Sequence, residues 1–530
     1  MSTHPYVEYR FGPSEQPVLP GGPFSPAHHP LRRVAYLLSA ITIGICSQLG
    51  NALVTVNLAN IAGSLEVNLS DAAWLSAMFV AVNASLNLLL VRARIQFGIP
   101  RATHALLLLH VIATIVQLTW PGFATALLVR AASGCVATAL TTLIIFNLLQ
   151  VVPPKARPLA VLVAISIPQL ATPIARLVPV TALTVGHWQG LHLIELGITL
   201  TAMASLMLVR LPPSVKQKAF EPLDFLTFGL VFPGMILLCG AISAGRYLWW
   251  TDTPWIGEAL AVALLLFTAA LLVEHNRARP LLLTDWIGSA EILHFGAVAL
   301  LVRFALAEQT YGAIGLLTAG GLNNDQLHTL FLIVLVANIA GIVTAVLTLK
   351  PERIPFQVMV AAIIIGIGAL LDADATNLTR PMQLYWSQAL IGFGACLFIG
   401  PALLFGFGKV LQLGPNYLVS FLIIFAGSQN LGGILGASLL GTYQVVRAKA
   451  HAQTLSEHLV AGDPQVAARL AQQGSSGLYA ALQREANVLA FNDVFRLIAF
   501  MAFATALYIL VLVLLRWRRD RLKAAKEAQA

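Results

Sequence analysis

The sequence predicts an all-α polytopic membrane protein. Of its 530 residues 58% are hydrophobic and only 10% are charged, and the mean hydropathy is +0.80. The apolar residues also gather into runs of about 20, the length a helix needs to cross the hydrocarbon core. A soluble globular chain is about 45–50% apolar and about 25% charged, which excludes that class. The net charge of +9 does not point to nucleic acid, because the basic residues are spread over short loops and the C-terminal tail, as membrane topology requires.

Fourteen runs follow in order. Residues 1–30 form a polar, proline-rich tail, expected to be cytoplasmic and disordered. Arg32 and Arg33 precede the run 34–58, which is too long for a signal-peptide core. The runs 72–91 and 102–120 are separated by VRARIQFGIPR, whose arginines mark an inner loop. The break Trp120-Pro121-Gly122 precedes 122–150. The run 158–183 carries Pro168, Pro173, Pro179 and Arg176, and 188–210 starts at the interfacial aromatic Trp188. A tryptophan-rich connection, YLWWTDTPW, joins 223–243 to 254–273. Then come 290–311, 326–349, 354–371, 383–408, 415–441 and 495–516, and the basic tail 517–530. The connection 442–494 is long. Helix formers in VVRAKAHAQTLSEHL are interrupted by GDP and QQGSSG, so two short helices lying on the outer surface are expected.

Placing the N-terminus in the cytoplasm puts most of the 32 lysines and arginines inside. An even number of spans then puts both termini inside. Arg130, Arg176, Arg303 and Arg496 fall within or at the edge of spans. The four cysteines lie in apolar runs and read as small packing residues. No spacing suits a metal, no loop suits a nucleotide and no nucleophile motif is present. An enzyme is therefore not expected, nor is any cofactor. The outer and inner loops leave no room for the ATPase domain of an ATP-driven pump.

The runs divide into a six-span bundle (31–211), two linking spans (212–282) and a second six-span bundle (283–516). A short echo relates the halves: PQLATPIAR (168–176) aligns with SQNLGGILG (428–436). Arg176 then falls opposite Gly436, and Pro173 opposite Gly433. Such a pattern suits parallel repeats about an axis along the membrane normal.

Several motifs carry a family resemblance. LLVRAASGCVATA holds Arg130 ahead of Gly134, and SQNLGGILGASLLGT holds Gly432, Gly433 and Gly436. PLDFLTFG starts the seventh span, HW at 187–188 the sixth, and ANVLAFNDVF, with Asn492 and Asp493, the last. Together they resemble the fourteen-span drug/proton antiporter branch of the major facilitator superfamily, the EmrB/QacA type. The resemblance implies the major-facilitator fold: two six-helix bundles plus two additional transmembrane helices. It also implies proton-coupled efflux from the bacterial inner membrane. In a host with two membranes it further implies a periplasmic adaptor and an outer-membrane channel as partners. There are departures. The loop after the second span keeps Gly98 but lacks the acid found in relatives. The first span has Asn51 and Asn57 where many relatives have an aspartate. The fifth-span motif reads TPIAR, keeping Pro173 and placing Arg176 at a glycine position.

A charge at mid-bilayer costs about 2.5–3.5 kcal/mol on insertion scales, so it needs a cavity or a partner. At about 1.5 Å per residue, Arg130 lies about 12 Å deep, and Arg176 and Glu195 about 10 Å deep. The shared depth predicts a cluster with Glu195 between two arginines; separate snorkelling or a purely structural ion pair would fit the same spacing. In the ninth span Arg303 and Glu308 are about 140° apart around the helix, so they do not share a face. Glu308 is near the outer end, and is either a proton- or substrate-handling group or simply wet. Asn83 with Asn87, and Gln429 with Asn430, are further polar candidates for a central cavity. Most such groups are hydrogen-bond partners between helices.

The reading is therefore a secondary transporter working by alternating access. It moves amphipathic organic compounds, and its arginines favour organic or aromatic acids. Its partners are a small-molecule substrate, protons and the lipid bilayer, with no nucleic acid. The alternatives are a facilitator or importer without proton coupling, and a non-transporting membrane sensor of the same fold.

Overall fold

Burial of apolar side chains turns inside out along these helices. The computed structural model describes residues 11–12, 15–17, 21–413, 417–460 and 462–527. On the helix Ile99–Thr119, Leu108, Ile112 and Ile115 are exposed, while Thr103, His110, Thr114 and Gln117 face inward. On Asn324–Thr348 the exposed stripe is Leu332, Val336, Ile339, Val343 and Leu347. The spacing of three and four is that of one helix face. Water would penalise such stripes, but hydrocarbon is as apolar as they are.

Among the described residues, thirteen helices are long and apolar enough to cross a membrane. The remaining run, the ninth, forms a shorter helix, Ala290–Ala305. It continues through the π-helical segment Glu308–Gly312 into Ala313–Ala319. Several helices open on proline in their first turn, as in Pro30–Val56, Pro222–Leu248 and Pro254–His275, where the missing N–H is not needed. Gly98 (φ 84°) joins Leu69–Phe97 to Ile99–Thr119, a left-handed joint that favours glycine.

The fifth run is not one regular helix. Arg157–Ser166 passes through a 3-10 turn, Ile167–Leu170, into Ala171–Arg176. Pro168 sits in that turn, where it cannot donate an α-helical hydrogen bond. The α-helix ends at Arg176, and a separate short helix, Val180–Leu183, follows.

The residues group into two compact units. One is Met1–Ala297 with Leu403–Ile434; the other is Val298–Ala402 with Leu435–Ala530. This grouping does not follow the expected boundary at 282/283, because parts of the ninth, twelfth and thirteenth spans fall in the first unit.

In the first unit the described part of the N-terminal tail is packed, not free. Pro23 pairs with Ser214, and Phe24 donates its N–H to Pro213 O at 3.1 Å. Phe24 stacks on Phe11 with ring centroids 4.0 Å apart. His28 Nε2 lies 2.9 Å from Gln150 Oε1. A disordered tail was expected for 1–30; residues 1–10, 13–14 and 18–20 lie outside the described residues.

In the second unit the connection 442–494 corrects another expectation. It does not form two separate short helices. The helix Tyr417–Glu457 runs through the end of its span without a break, and Pro464–Glu527 carries the last span with one kink, at Gly474 (φ 69°). A helix of 41 residues is about 60 Å long, roughly twice the hydrocarbon thickness. Helix formers continue past the apolar run, and nothing stops the helix before residue 457.

Candidate functional site

Polar side chains collect in separate clusters, each inside one unit. In the second unit the π-helical segment begins at Glu308, which is fully buried. Gly312 at its end and Gly315 in the helix that follows lie where a Cβ would come within 2.8 Å of Phe495 and 2.7 Å of Phe491, so this stretch is pressed onto the last span. Gln388 Nε2 donates to Glu308 Oε1 (3.0 Å) and Oε2 (3.2 Å), and to Asp372 Oδ2 (2.8 Å). Both carboxyl groups thus converge on one amide nitrogen. Asp372 is 2% exposed. Among the described residues neither carboxyl has an ion-pair partner. Two anions held at one neutral amide would repel, with no cation paired to either among the described residues. The arrangement suits one carboxylate and one carboxylic acid. π-Segments recur at functional sites because they aim a side chain that a regular helix would aim elsewhere.

The sequence singled out Glu308 but treated it as close to the outer end. It is not wet, because the helix continues through Ala313–Ala319. Asp372 and Gln388 were not foreseen. Arg303 is half-buried at the end of Ala290–Ala305 and is not a partner of Glu308.

In the first unit Arg130 is 2% exposed and Glu195 is 1% exposed. Arg130 Nη2 donates to Glu195 Oε1 in a close ion pair. His192 Nδ1 lies 3.1 Å from Glu195 Oε2. His110 Nδ1 lies 2.7 Å from Thr199 Oγ1, which donates to the Glu195 carbonyl at 2.9 Å. Gly50 admits the carboxylate: a Cβ there would stand 3.3 Å from Glu195 Oε1. The expected pairing of Arg130 with Glu195 therefore forms. The second arginine does not join it. Arg176 is buried but is not among the partners of Glu195, whose other oxygen meets a histidine. The depth count assumed a regular helix to Leu183; the 3-10 turn and the helix end at Arg176 remove that regularity.

Asn83 Oδ1 accepts from Asn430 Nδ2 at 2.8 Å, inside the first unit. Asn87 Nδ2 donates to the Asn83 carbonyl at 2.8 Å, and Thr138 to the same oxygen at 3.1 Å. Asn83 and Asn430 are hydrogen-bond partners between helices, while Asn87 bonds back within its own helix. Asn57 caps the first helix and bonds the Leu53 carbonyl at 2.9 Å, while Asn51 and Gln429 are half-buried. The motif glycines are packing positions. A Cβ at Gly134 would come 2.7 Å from Phe79 O, and one at Gly436 would come 2.8 Å from Ala307 Cβ. Gly432 is buried, Gly433 half-buried, and Pro173 buried in its short helix. Asn492 Nδ2 donates to Ala375 O at 2.9 Å, and Asp493 accepts from Arg447 Nε at 2.6 Å.

Arg92, on the second-span helix, meets an acid from another helix. Asp224, on Pro222–Leu248, lies 3.5 Å from Arg92 and 2.7 Å from Arg277. Arg277 also meets Glu221 and Glu274, each at 2.9 Å. The two linking spans are thus tied to the second span by charge.

No protein-family profile and no curated protein matches the chain. Solved structures do. The human organic anion transporter MFSD10 (TETRAN) is 12% identical with a TM-score of 0.50, over 90% of this chain and 100% of that one. A bacterial homologue of the human drug peptide transporters PepT1 and PepT2 is 12% identical with a TM-score of 0.55, over 92% and 99%. PepTSo2, crystallised as a tetramer, is 9% identical with a TM-score of 0.57, again over 92% and 99%. At this identity the likeness is one of fold. The chain has the major-facilitator fold.

Proposed function

We propose that this chain is a proton-coupled secondary transporter that exports amphipathic organic compounds by alternating access. In this reading it belongs to the fourteen-span drug/proton antiporter branch and sits in a bacterial inner membrane with both termini in the cytoplasm. The observation that carries proton coupling is the carboxyl pair of Glu308 and Asp372 on the Gln388 amide. Two buried carboxyl groups sharing one neutral amide, with no ion-pair partner among the described residues, are suited to take up and release a proton as their surroundings change.

The test is flux in proteoliposomes of the purified chain with an imposed pH gradient. Substrate movement that follows the gradient, and that Glu308→Gln uncouples, supports the reading. Flux indifferent to the gradient favours a facilitator or importer, and no flux across a broad panel of organic anions, cations and neutral compounds favours a sensor. In a host with two membranes the reading also implies a periplasmic adaptor and an outer-membrane channel. Co-purification of the intact chain from its own membranes after mild crosslinking tests that part, and recovery of the chain alone counts against it.

A further inference from the structure

The pairing of Arg130 is incomplete. A guanidinium and a carboxylate frequently meet through two parallel hydrogen bonds. Here only Arg130 Nη2 meets Glu195, whose second oxygen is turned to His192. Arg130 Nη1 is buried without a hydrogen-bond partner among the described residues. So is His110 Nε2, on a ring linked through Thr199 to the Glu195 carbonyl. Leaving a buried donor of a charged group unmade costs about 1–3 kcal/mol or more.

Apolar groups adjoin this charge. Leu191, Ile194 and Ile198 flank Glu195 along its helix, and Ala126 and Leu127 stand one turn from Arg130. They belong to one cluster with the aromatic rings of Phe123 and Trp188. A fixed cation with an open donor beside an apolar, partly aromatic wall matches a carboxylate carried on a hydrophobic body.

We propose that Arg130 Nη1 binds the carboxylate of an amphipathic organic acid, and that Glu195 is the internal carboxylate that holds the guanidinium when no acid is bound. The inference rests on the transporter reading and names its substrate class. The charged and titratable groups around the bound carboxylate are Arg130 from the fourth span, His110 from the third, and His192 and Glu195 from the sixth. The first span contributes Gly50. Glu195 competes with the ligand for the same cation, so neutralising it strengthens binding.

Calorimetry on the detergent-purified full chain, with 2-naphthoate and its neutral isostere 2-naphthamide, tests this without any gradient. The expected result is that 2-naphthoate binds at least about tenfold tighter than the amide, as a site built around an ion contact requires. Glu195→Gln raises 2-naphthoate affinity several-fold and leaves the amide unchanged. Arg130→Gln removes the preference. Because that variant strands Glu195, the double variant Arg130→Gln/Glu195→Gln is measured too; it folds with a neutral pair and also shows no preference. Absence of 2-naphthoate binding, equal affinity for the two probes, or weaker binding in Glu195→Gln overturns the proposal. Flux that still follows a pH gradient alongside any of these results leaves the transporter reading standing. Intact 2-naphthoate preference without gradient-driven flux does the reverse.

Discussion

Gln388 Nε2 stands 3.0 Å from Glu308 Oε1, and the same nitrogen stands 2.8 Å from Asp372 Oδ2. One neutral amide therefore serves two buried carboxyl groups from two other spans. Replacing either carboxyl with its amide removes the protonatable pair while preserving shape. Glu308→Gln and Asp372→Asn are each expected to reduce pH-gradient-driven accumulation at least tenfold, while gradient-free counterflow persists. Parallel loss of both fluxes would instead mark the pair as structural.

The amide itself carries a separable role. Gln388→Leu leaves two carboxyl groups without their shared donor, at about 1–3 kcal/mol. The expected outcome is a lower thermal midpoint for Gln388→Leu than for Glu308→Gln, measured on detergent-purified protein. Equal midpoints would show that the amide does not hold the pair.

Much of the fold was legible in the sequence, because lipid demands long apolar runs and each run became helical. The site was legible only in part. Arg130 and Glu195 could be matched by depth because both lie on regular helices. Arg176 could not, since Pro168 breaks its span into a 3-10 turn. Asp372 stands just beyond the run 354–371; it is the last residue of the helix Ile354–Asp372 and is buried there. Gln388 was one neutral polar residue in a long apolar run, and only tertiary contact reveals what it bridges. His110 had a usable signal: with Thr103, Thr114 and Gln117 it forms one polar face at helical spacing.

Arg277 holds the linking spans, and its loss is expected to be severe. Its side chain is 3% exposed, and those of Asp224 and Glu274 are fully buried. Removing one partner of a buried ion group costs about 3–5 kcal/mol, because the remaining charges are stranded. Arg277→Ala is therefore expected to unfold at markedly lower temperature. Arg277→Lys recovers only part, since an ammonium cannot fork to three carboxylates. Full recovery by lysine would argue that charge alone suffices.

Packing at Gly134 gives a second stability test with a different cause. A Cβ there would lie 2.7 Å from the backbone oxygen of Phe79 and 3.2 Å from the backbone nitrogen of Asn83. Backbone atoms cannot swing aside as a side-chain tip does, so the fourth and second spans would have to part. Gly134→Ala is expected to destabilise by about 1–3 kcal/mol. The same change at Gly197, where nothing lies within 4 Å, is the control. Indistinguishable thermal midpoints for the two variants would refute the close-packing account.

The base of the helical hairpin formed by Tyr417–Glu457 and Pro464–Glu527 is fastened at Asp493. Arg447 Nε approaches it at 2.6 Å, His451 Nε2 at 2.7 Å and Arg496 Nη1 at 3.6 Å. Asp493 is 13% exposed, but Arg447 is 38% and Arg496 56% exposed, so solvent screens each contact. Exposed ion pairs contribute about 0.2–1 kcal/mol apiece. Asp493→Asn is therefore expected to loosen the hairpin by about 1 kcal/mol without unfolding the bundle. One kcal/mol is roughly a fivefold change in an opening equilibrium. Limited proteolysis in the turn between Glu457 and Pro464 should accelerate about fivefold, with the global thermal midpoint nearly constant. Arg447→Met should give a smaller acceleration, and the double variant should be less than additive, because both changes remove the same contact. Strict additivity, or a cleavage rate that ignores Asp493, would mean the hairpin is held by its apolar contacts alone.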